Sequence, residues 1–241
     1  MQTRLDKLVV ENGIAPSRAR AQAMIESGKI TVNDIVVVNS SRMFSEGDMV
    51  RALTPDIPWV SRAALKLIHA LDHFALDPNG RIALDIGAST GGFTEVLLER
   101  GAKHVYAIDV GTNQMHERLI NDDRITLREG VHIRDVKRED FDELPSLIVI
   151  DVSFISLTKV LPLAQELLAP HGDVVALIKP QFEVGKEHIG KGVVRDPTLH
   201  AEVCDRIVGL SQDLGFIVQG PIESPIEGGD GNVEFLIHLS R

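Results

Sequence analysis

Residues 85–93 read Asp85-Ile86-Gly87-Ala88-Ser89-Thr90-Gly91-Gly92-Phe93, directly after the apolar run Ile82-Ala83-Leu84. A buried strand, a glycine-rich turn and a helical stretch from Phe93 to Arg100, stopped by Gly101, open a βα unit. The alternation continues outward. His104 to Val110, Ile125-Thr126-Leu127, Leu147 to Val152 and Val174 to Ile178 read as strands, Leu157 to Leu168 and Thr198 to Leu214 as helices. Phe216 to Val218 and Val233 to Leu239 are late strands. Strands alternating with helices predict a parallel, doubly wound α/β sheet.

Upstream the pattern changes. Leu5, Leu8, Val9 and Ile14 give a short amphipathic helix ended by Asn12-Gly13. Pro16-Ser17 open a second helix, Arg18 to Ser27, with Ala19, Ala23, Met24 and Ile25 as its apolar side. Lys29 to Val32 and Ile35 to Val38 flank Asn33-Asp34 as a hairpin, and Gly47-Asp48 turns into Met49-Val50-Arg51. Residues 1–51 thus read as a small α+β unit, 52–60, with Pro55 and Pro58, as a linker, and 61–241 as the α/β domain.

The chain has 241 residues, 44% of them apolar, enough for a mid-sized core and a small one. A single cysteine, Cys204, excludes an internal disulfide and suits a reducing compartment. No long apolar run and no signal-type N-terminus occurs, so a soluble cytoplasmic protein is expected. A net charge of −10 requires any polyanion contact to be local. Residues 1–51 hold seven basic and six acidic side chains, so the acid surplus lies downstream and the small unit is the better place for phosphate.

Glycines at 87, 91 and 92 let the backbone turn sharply and approach a ligand. Asp109, ending the next strand, can accept hydrogen bonds from ribose hydroxyls. A dinucleotide fingerprint needs glycine where this loop has Ser89. S-adenosylmethionine carries no phosphate and suits a D-x-G-x-x-x-G-G loop with an acid, Asp85, beside a cation. The loop therefore favours that methyl donor, held by Asp85, Gly87, Ala88, Ser89, Thr90, Gly91, Gly92, Phe93 and Asp109. A turn kept only for packing does not explain loop and Asp109 together.

Four charged residues fall where a reactive site would lie. Asp151 and Lys179 close the fourth and fifth strands, and ligands of open α/β sheets bind outside the carboxyl ends of strands. Lys66 precedes the first strand, and Glu234 lies within the last, where a buried carboxylate needs a partner. A lysine can take the proton of a hydroxyl nucleophile while carboxylates set its charge. Singly, Asp151 reads equally as a turn cap, and Lys179 and Lys66 as solvated lysines. Asp151-Val152-Ser153-Phe154 lacks the prolines usual in methylation of exocyclic base nitrogens. Cys204 lies in a late helix, away from the edge where methylation of a pyrimidine carbon commonly needs a cysteine. Both base chemistries lose ground to a ribose hydroxyl.

Together these residues resemble the TlyA family of ribosomal RNA 2′-O-methyltransferases, historically labelled hemolysins, over nearly the whole chain. Arg4-Leu5-Asp6-Lys7, Pro16-Ser17-Arg18-Ala19-Arg20 and Gly28-Lys29-Ile30-Thr31-Val32-Asn33 resemble an S-four-type RNA-binding domain. The remainder resembles FtsJ-like methyltransferases through Val60-Ser61-Arg62, the 85–93 loop and the ordered set Lys66, Asp151, Lys179, Glu234. That set matches the group's catalytic Lys-Asp-Lys-Glu tetrad. The resemblance implies a Rossmann-like class I methyltransferase with a mostly parallel seven-stranded sheet, using S-adenosylmethionine and no metal. It implies a cytidine ribose of small- and/or large-subunit ribosomal RNA as substrate, and RNA contacts from Arg4, Lys7, Ser17, Arg18, Arg20, Lys29 and Arg62. Charge alone reads first as a solvated mixed face, because Asp6, Glu11 and Glu26 are interleaved. The chain departs from the family at Ala63-Ala64, where two glycines are common. Asp135 is a candidate for adenine. Lys186 and Lys191 read first as solvated loop lysines, second as part of a substrate loop.

Three rival readings stay open. A membrane-lytic protein needs an exposed amphipathic or apolar segment, which this sequence lacks. A pseudouridine synthase shares the N-terminal module but has no methyl-donor loop. A catalytically silent ribosome-binding factor binds cofactor without transferring methyl.

Overall fold

The computed structural model describes residues 2–45, 47–53, 58–185, 189–190, 192–228 and 231–241. Lys186, Lys191 and positions 54–57 of the expected linker lie outside the described residues. The chain divides into two compact units, Met1–Pro58 and Trp59–Arg241.

The first unit runs β1 (Gln2–Arg4), α1 (Leu5–Glu11), α2 (Arg18–Glu26), β2 (Ile30–Val32), β3 (Ile35–Val36), β4 (Met43–Ser45) and β5 (Val50–Ala52). Strand β1 pairs with β4, and β3-β2-β5 form a second antiparallel sheet. Asn33 and Asp34 both take left-handed φ, 51° and 64°, as a two-residue hairpin turn between right-twisted strands requires. Leu5, Val9, Ala21, Met24, Ile25, Ile30 and Val32 make its core. The inward side of α2 is thus Ala21, Met24 and Ile25, whereas Ala19 and Ala23 are exposed. Alanine is small enough to sit on either face, so an alanine pattern orients a helix poorly. The expected strand to Val38 stops at Val36; β3 is an edge strand, and Ile35, Val36 and Val38 face solvent.

The second unit runs α3 (Ala64–His73), β6 (Ile82–Ile86), α4 (Gly92–Glu99), β7 (His104–Asp109), α5 (Glu117–Ile120), β8 (Ile125–Glu129) and β9 (Leu147–Ile150). It continues with α6 (Leu157–Leu167), β10 (Asp173–Ile178), α7 (Pro180–Glu183), α8 (Pro197–Asp213), β11 (Ile217–Glu223) and β12 (Phe235–Ser240). Its seven strands are ordered β11-β12-β10-β9-β6-β7-β8. Strand β12 runs antiparallel to both neighbours; the other pairings are parallel. Alternate residues feed two cores. Leu84, Ile108, Ile148 and Ile150 face α6 and α8; Ala83, Val105, Val149 and Leu177 face α3 and α4. Burial on both faces is why these strands are apolar throughout. The chain builds β6, β7, β8 in one direction and then returns to β9 and β10. The direction therefore switches between β6 and β9, where a crevice opens at the carboxyl ends.

Three expected boundaries move. Strand β9 ends at Ile150 rather than Val152, which frees Asp151 to Ser153 from the ladder. Strand β12 begins at Phe235, so Glu234 precedes the last strand instead of lying within it. Strand β11, expected over Phe216 to Val218, runs on to Glu223 through Gly220-Pro221; an edge strand with a register shift between Gln219 and Ile222 tolerates the proline.

Candidate active site

The loop from Gly87 to Gly91 is shaped by backbone close approach. Gly87 has φ 89°, and a Cβ there would run into the Asp151 carbonyl. Gly91 has φ 93° and caps α4, with Met115 and Leu119 where a side chain would go. Ser89 also takes a left-handed φ, 46°, and its N–H donates to Asp109 Oδ2 at 2.7 Å. Asp109 Oδ1 accepts the Gly111 N–H at 2.7 Å. Each oxygen keeps a further acceptor site for a ribose hydroxyl. Glu129 at the end of β8 accepts the N–H groups of Asn113, Gln114 and Met115, which hold its carboxyl below the usual range.

Two adjoining clefts meet at this loop. The larger, about 760 Å³, is lined by Gly87, Ser89, Ile108, Asp109, Gln114, Val131, His132, Ile133 and the segment Asp151 to Ile155. The smaller, about 170 Å³, lies among Ser61, Ala63, Gly87 to Thr90, Gly92, Phe93, Asp151, Ser153 and Lys179. An apolar pocket with a ribose acceptor at one side, joined through a glycine cradle to a small polar pocket, fits an adenosyl group with an amino-acid tail. A dinucleotide would need the second phosphate-facing glycine that Ser89 replaces. Asp135 is 63% exposed in its side chain and lines neither cleft, whereas His132 and Ile133 do. Asp85 also lines neither. Its carboxyl is fully buried beneath the loop, where Thr94 donates to Oδ2 at 2.6 Å and Oδ1 has no hydrogen-bond partner. Burial pushes it up to about 7; the Thr94 bond opposes this and the Asp151 charge adds to it. The residue thus supports the cradle from below instead of facing a bound cation.

The four charged candidates meet as two pairs. Lys179 Nζ lies 2.6 Å from Asp151 Oδ1 and donates to Ser153 Oγ at 3.2 Å. Lys66 Nζ donates to Glu234 Oε2 at 2.5 Å, with both side chains buried. Sheet register explains the convergence. Ile178 sits opposite Phe235, so Lys179 and Glu234 flank one ladder end, and β9 brings Asp151 to the same rim. Gln181 joins the pairs, donating to Glu234 Oε1 at 3.3 Å. Ala63 is helical, with φ −56°, so the position needs no glycine. Arg62 is exposed and donates to the Gly228 carbonyl at 3.3 Å. Cys204 is buried in α8 and its thiol is pushed up to about 11, the state of a packing residue.

In the first unit, Asp6 is not a solvated neutraliser. It is fully buried and accepts from Arg4, Arg18 and Gln22, at 2.8–3.1 Å. The Arg4 bond leads in holding its carboxyl well below the usual range. Arg4 and Arg18 are therefore fixed side by side on one carboxylate while 40% and 54% exposed. Lys7, Arg20 and Lys29 are exposed. Ser17 caps α2, accepting the Arg20 N–H at 3.3 Å, and is itself exposed.

Sequence reasoning missed Phe154, Gln181 and Glu183. Phe154 is 90% exposed at the mouth of the larger cleft, with φ 63°. An aromatic side chain so displayed is unusual, but nothing in its neighbours announced the left-handed backbone.

Fold and site define a class: a Rossmann-like methyltransferase unit following a small helix-and-hairpin unit. The family model for FtsJ-like methyltransferases matches residues 59–241, and that for the S4 domain matches residues 3–50. The 16S/23S rRNA (cytidine-2′-O)-methyltransferase TlyA of Mycobacterium tuberculosis is 42% identical over 240 residues, 99% of this chain and 90% of its own. Hemolysin A of Brachyspira hyodysenteriae is 41% identical across 98% of this chain and 99% of its own. A solved structure from Streptococcus thermophilus that carries a hemolysin label matches with a TM-score of 0.78 at 42% identity, over all of this chain and 88% of that one. The chain belongs to the TlyA group of the FtsJ-like methyltransferase family, and S-adenosylmethionine is its methyl donor.

Proposed function

We propose that the protein methylates the ribose 2′-hydroxyl of a cytidine in small- or large-subunit ribosomal RNA, and that it works in the cytoplasm. The observation that carries this reading is the Lys179–Asp151 pair, 2.6 Å apart, on the wall shared with the glycine cradle. When bound, S-adenosylmethionine supplies an electrophilic methyl on a sulfonium. Gly87 to Phe93 and Asp109 would hold it, with Asp85 buttressing the loop through Thr94.

A hydroxyl is a poor nucleophile while protonated, so the chain must place it and ease its proton away. Lys179 takes that proton in its neutral form, and Asp151 and Ser153 fix the amine where the hydroxyl arrives. Lys66 and Glu234, buried, lining neither cleft and joined to Lys179's turn through Gln181, orient the lysine and through it the ribose. Phe154 offers an exposed face on which a splayed-out base can stack. Arg4, Lys7, Arg18, Arg20 and Lys29, with Arg62 on the second unit, meet phosphates; such contacts position without reading sequence.

The test is methyl transfer to purified, unmodified ribosomal subunits, followed by mapping of the modified ribose. Lys179→Ala abolishes turnover and leaves cofactor affinity nearly intact; normal turnover in that variant sinks the assignment. Cofactor binding without transfer by the wild type would favour the silent binding factor.

A further inference from the structure

One short turn ties the two loops of the site together. Lys179 precedes α7, and the next residues reach out to neighbours. Gln181 holds Glu234, and the Phe182 ring packs on Phe154 with centroids 5.0 Å apart. Glu183, its side chain 2% exposed, accepts the Leu157 backbone N–H and the Ser156 hydroxyl, each at 2.7 Å. Ser156 and Leu157 open α6 and end the segment that starts at Asp151. Helix α6 already has its own cap, because Ser156 Oγ accepts the Thr158 N–H at 3.1 Å. From α8, Arg206 donates to the Glu183 carbonyl at 2.7 Å and lies 3.4 Å from its carboxylate.

The connections close a ring. It runs from Asp151 along its loop to Leu157, across to Glu183, back through α7 to Lys179, and home across the 2.6 Å pair. Burying a carboxylate is unfavourable unless donors meet it. Here the donors belong to the loop that carries the partner of Lys179, so the bonds act as a spacer between the two catalytic segments. We propose that Glu183 is a positioning residue for methyl transfer: it sets where the Lys179 amine stands against Asp151. The inference rests on the reading of Lys179 as the proton acceptor. The charged groups near the pair are Asp85, buried beneath the loop and within reach of the Asp151 charge, Glu234 through Gln181 with Lys66 from α3, and Arg206 from α8 against Glu183.

The test uses full-length Glu183→Gln, which keeps the shape but loses charge and one acceptor oxygen. On purified subunits kcat falls about tenfold or more, since ångström-scale misplacement can cost a hundredfold. Cofactor Kd and stoichiometry by calorimetry stay within about threefold. The pH profile of kcat moves relative to the wild type's, because the proton-accepting amine no longer stands in the same place against its carboxylate partner. A merely structural role would lower the active fraction and leave that profile in place. An unshifted profile in a cofactor-binding Glu183→Gln protein overturns the proposal. If that variant fails to bind cofactor, Ser156→Ala, which removes one donor along with the α6 cap, decides by the same profile, since loss of a cap alone lowers stability and leaves the profile in place. Lys179→Ala is run alongside. Retained turnover there refutes the underlying reading, whereas an inactive Lys179→Ala beside an unshifted Glu183→Gln refutes only the role of Glu183.

Discussion

At the scale of single residues, two positions spend stability on the site. Asp85 ordinarily ionises near 3.8, and burial raises it to about 7 in the fold. A raised value means the folded chain holds the proton longer than the unfolded one. The favourable contribution is therefore complete below about pH 4 and lost as pH rises to about 7, a change of about 4 kcal/mol. Asp85→Asn removes this dependence: its urea midpoint should exceed the wild type's at pH 8, with the gap closing toward pH 5. Phe154 holds a left-handed φ of 63°, disfavoured by about 1–2 kcal/mol for a residue with a Cβ. Phe154→Gly should leave stability equal to the wild type's or up to about 1 kcal/mol higher. It should also raise KM for ribosomal subunits by about tenfold, the scale of one lost base stack. Equal KM values in the steady-state assay would remove Phe154 from the substrate site.

At the scale of elements, the cradle and the first unit each depend on one close contact. A Cβ at Gly87 would collide with the Asp151 carbonyl, and at that φ a side chain is strained besides. Gly87→Ala should therefore weaken cofactor binding by about tenfold or more in calorimetry, at a cost of about 1–3 kcal/mol in stability. In the first unit, Asp6→Ala leaves Arg4, Arg18 and Gln22 without their shared acceptor. The expected loss is about 2–4 kcal/mol in chemical denaturation. Because the Asp6 value is depressed, that contribution is present above about pH 4 and disappears as acid protonates the carboxylate. Subunit affinity should fall with it, since the two arginines lose their fixed spacing. Element identity itself was legible. Strands β6, β7, β9 and β10 sit within one or two residues of their apolar runs, because burial on both faces leaves no other composition. The brief turn α7 was not, since four residues carry no period.

At the scale of the whole molecule, charge governs how an acidic chain meets RNA. With a net charge of −10, attraction must come from a local cationic surface. Raising salt from about 50 to about 200 mM should weaken subunit binding at least tenfold, as expected when several phosphates are neutralised, while cofactor affinity barely changes. A salt-independent subunit Kd would argue against phosphate docking. The sequence by itself determined the α/β alternation, the glycine cradle with Asp109, and the four charged candidates. Each is written in local pattern or in residue chemistry that few other folds use. Only the tertiary structure decided which lysine faces which acid, that Asp6 is buried under two arginines, and that Glu183 spans two loops. Those facts follow from strand order and register, which bring residues up to 168 positions apart to one rim. Contacts at such separation leave no periodicity along the chain.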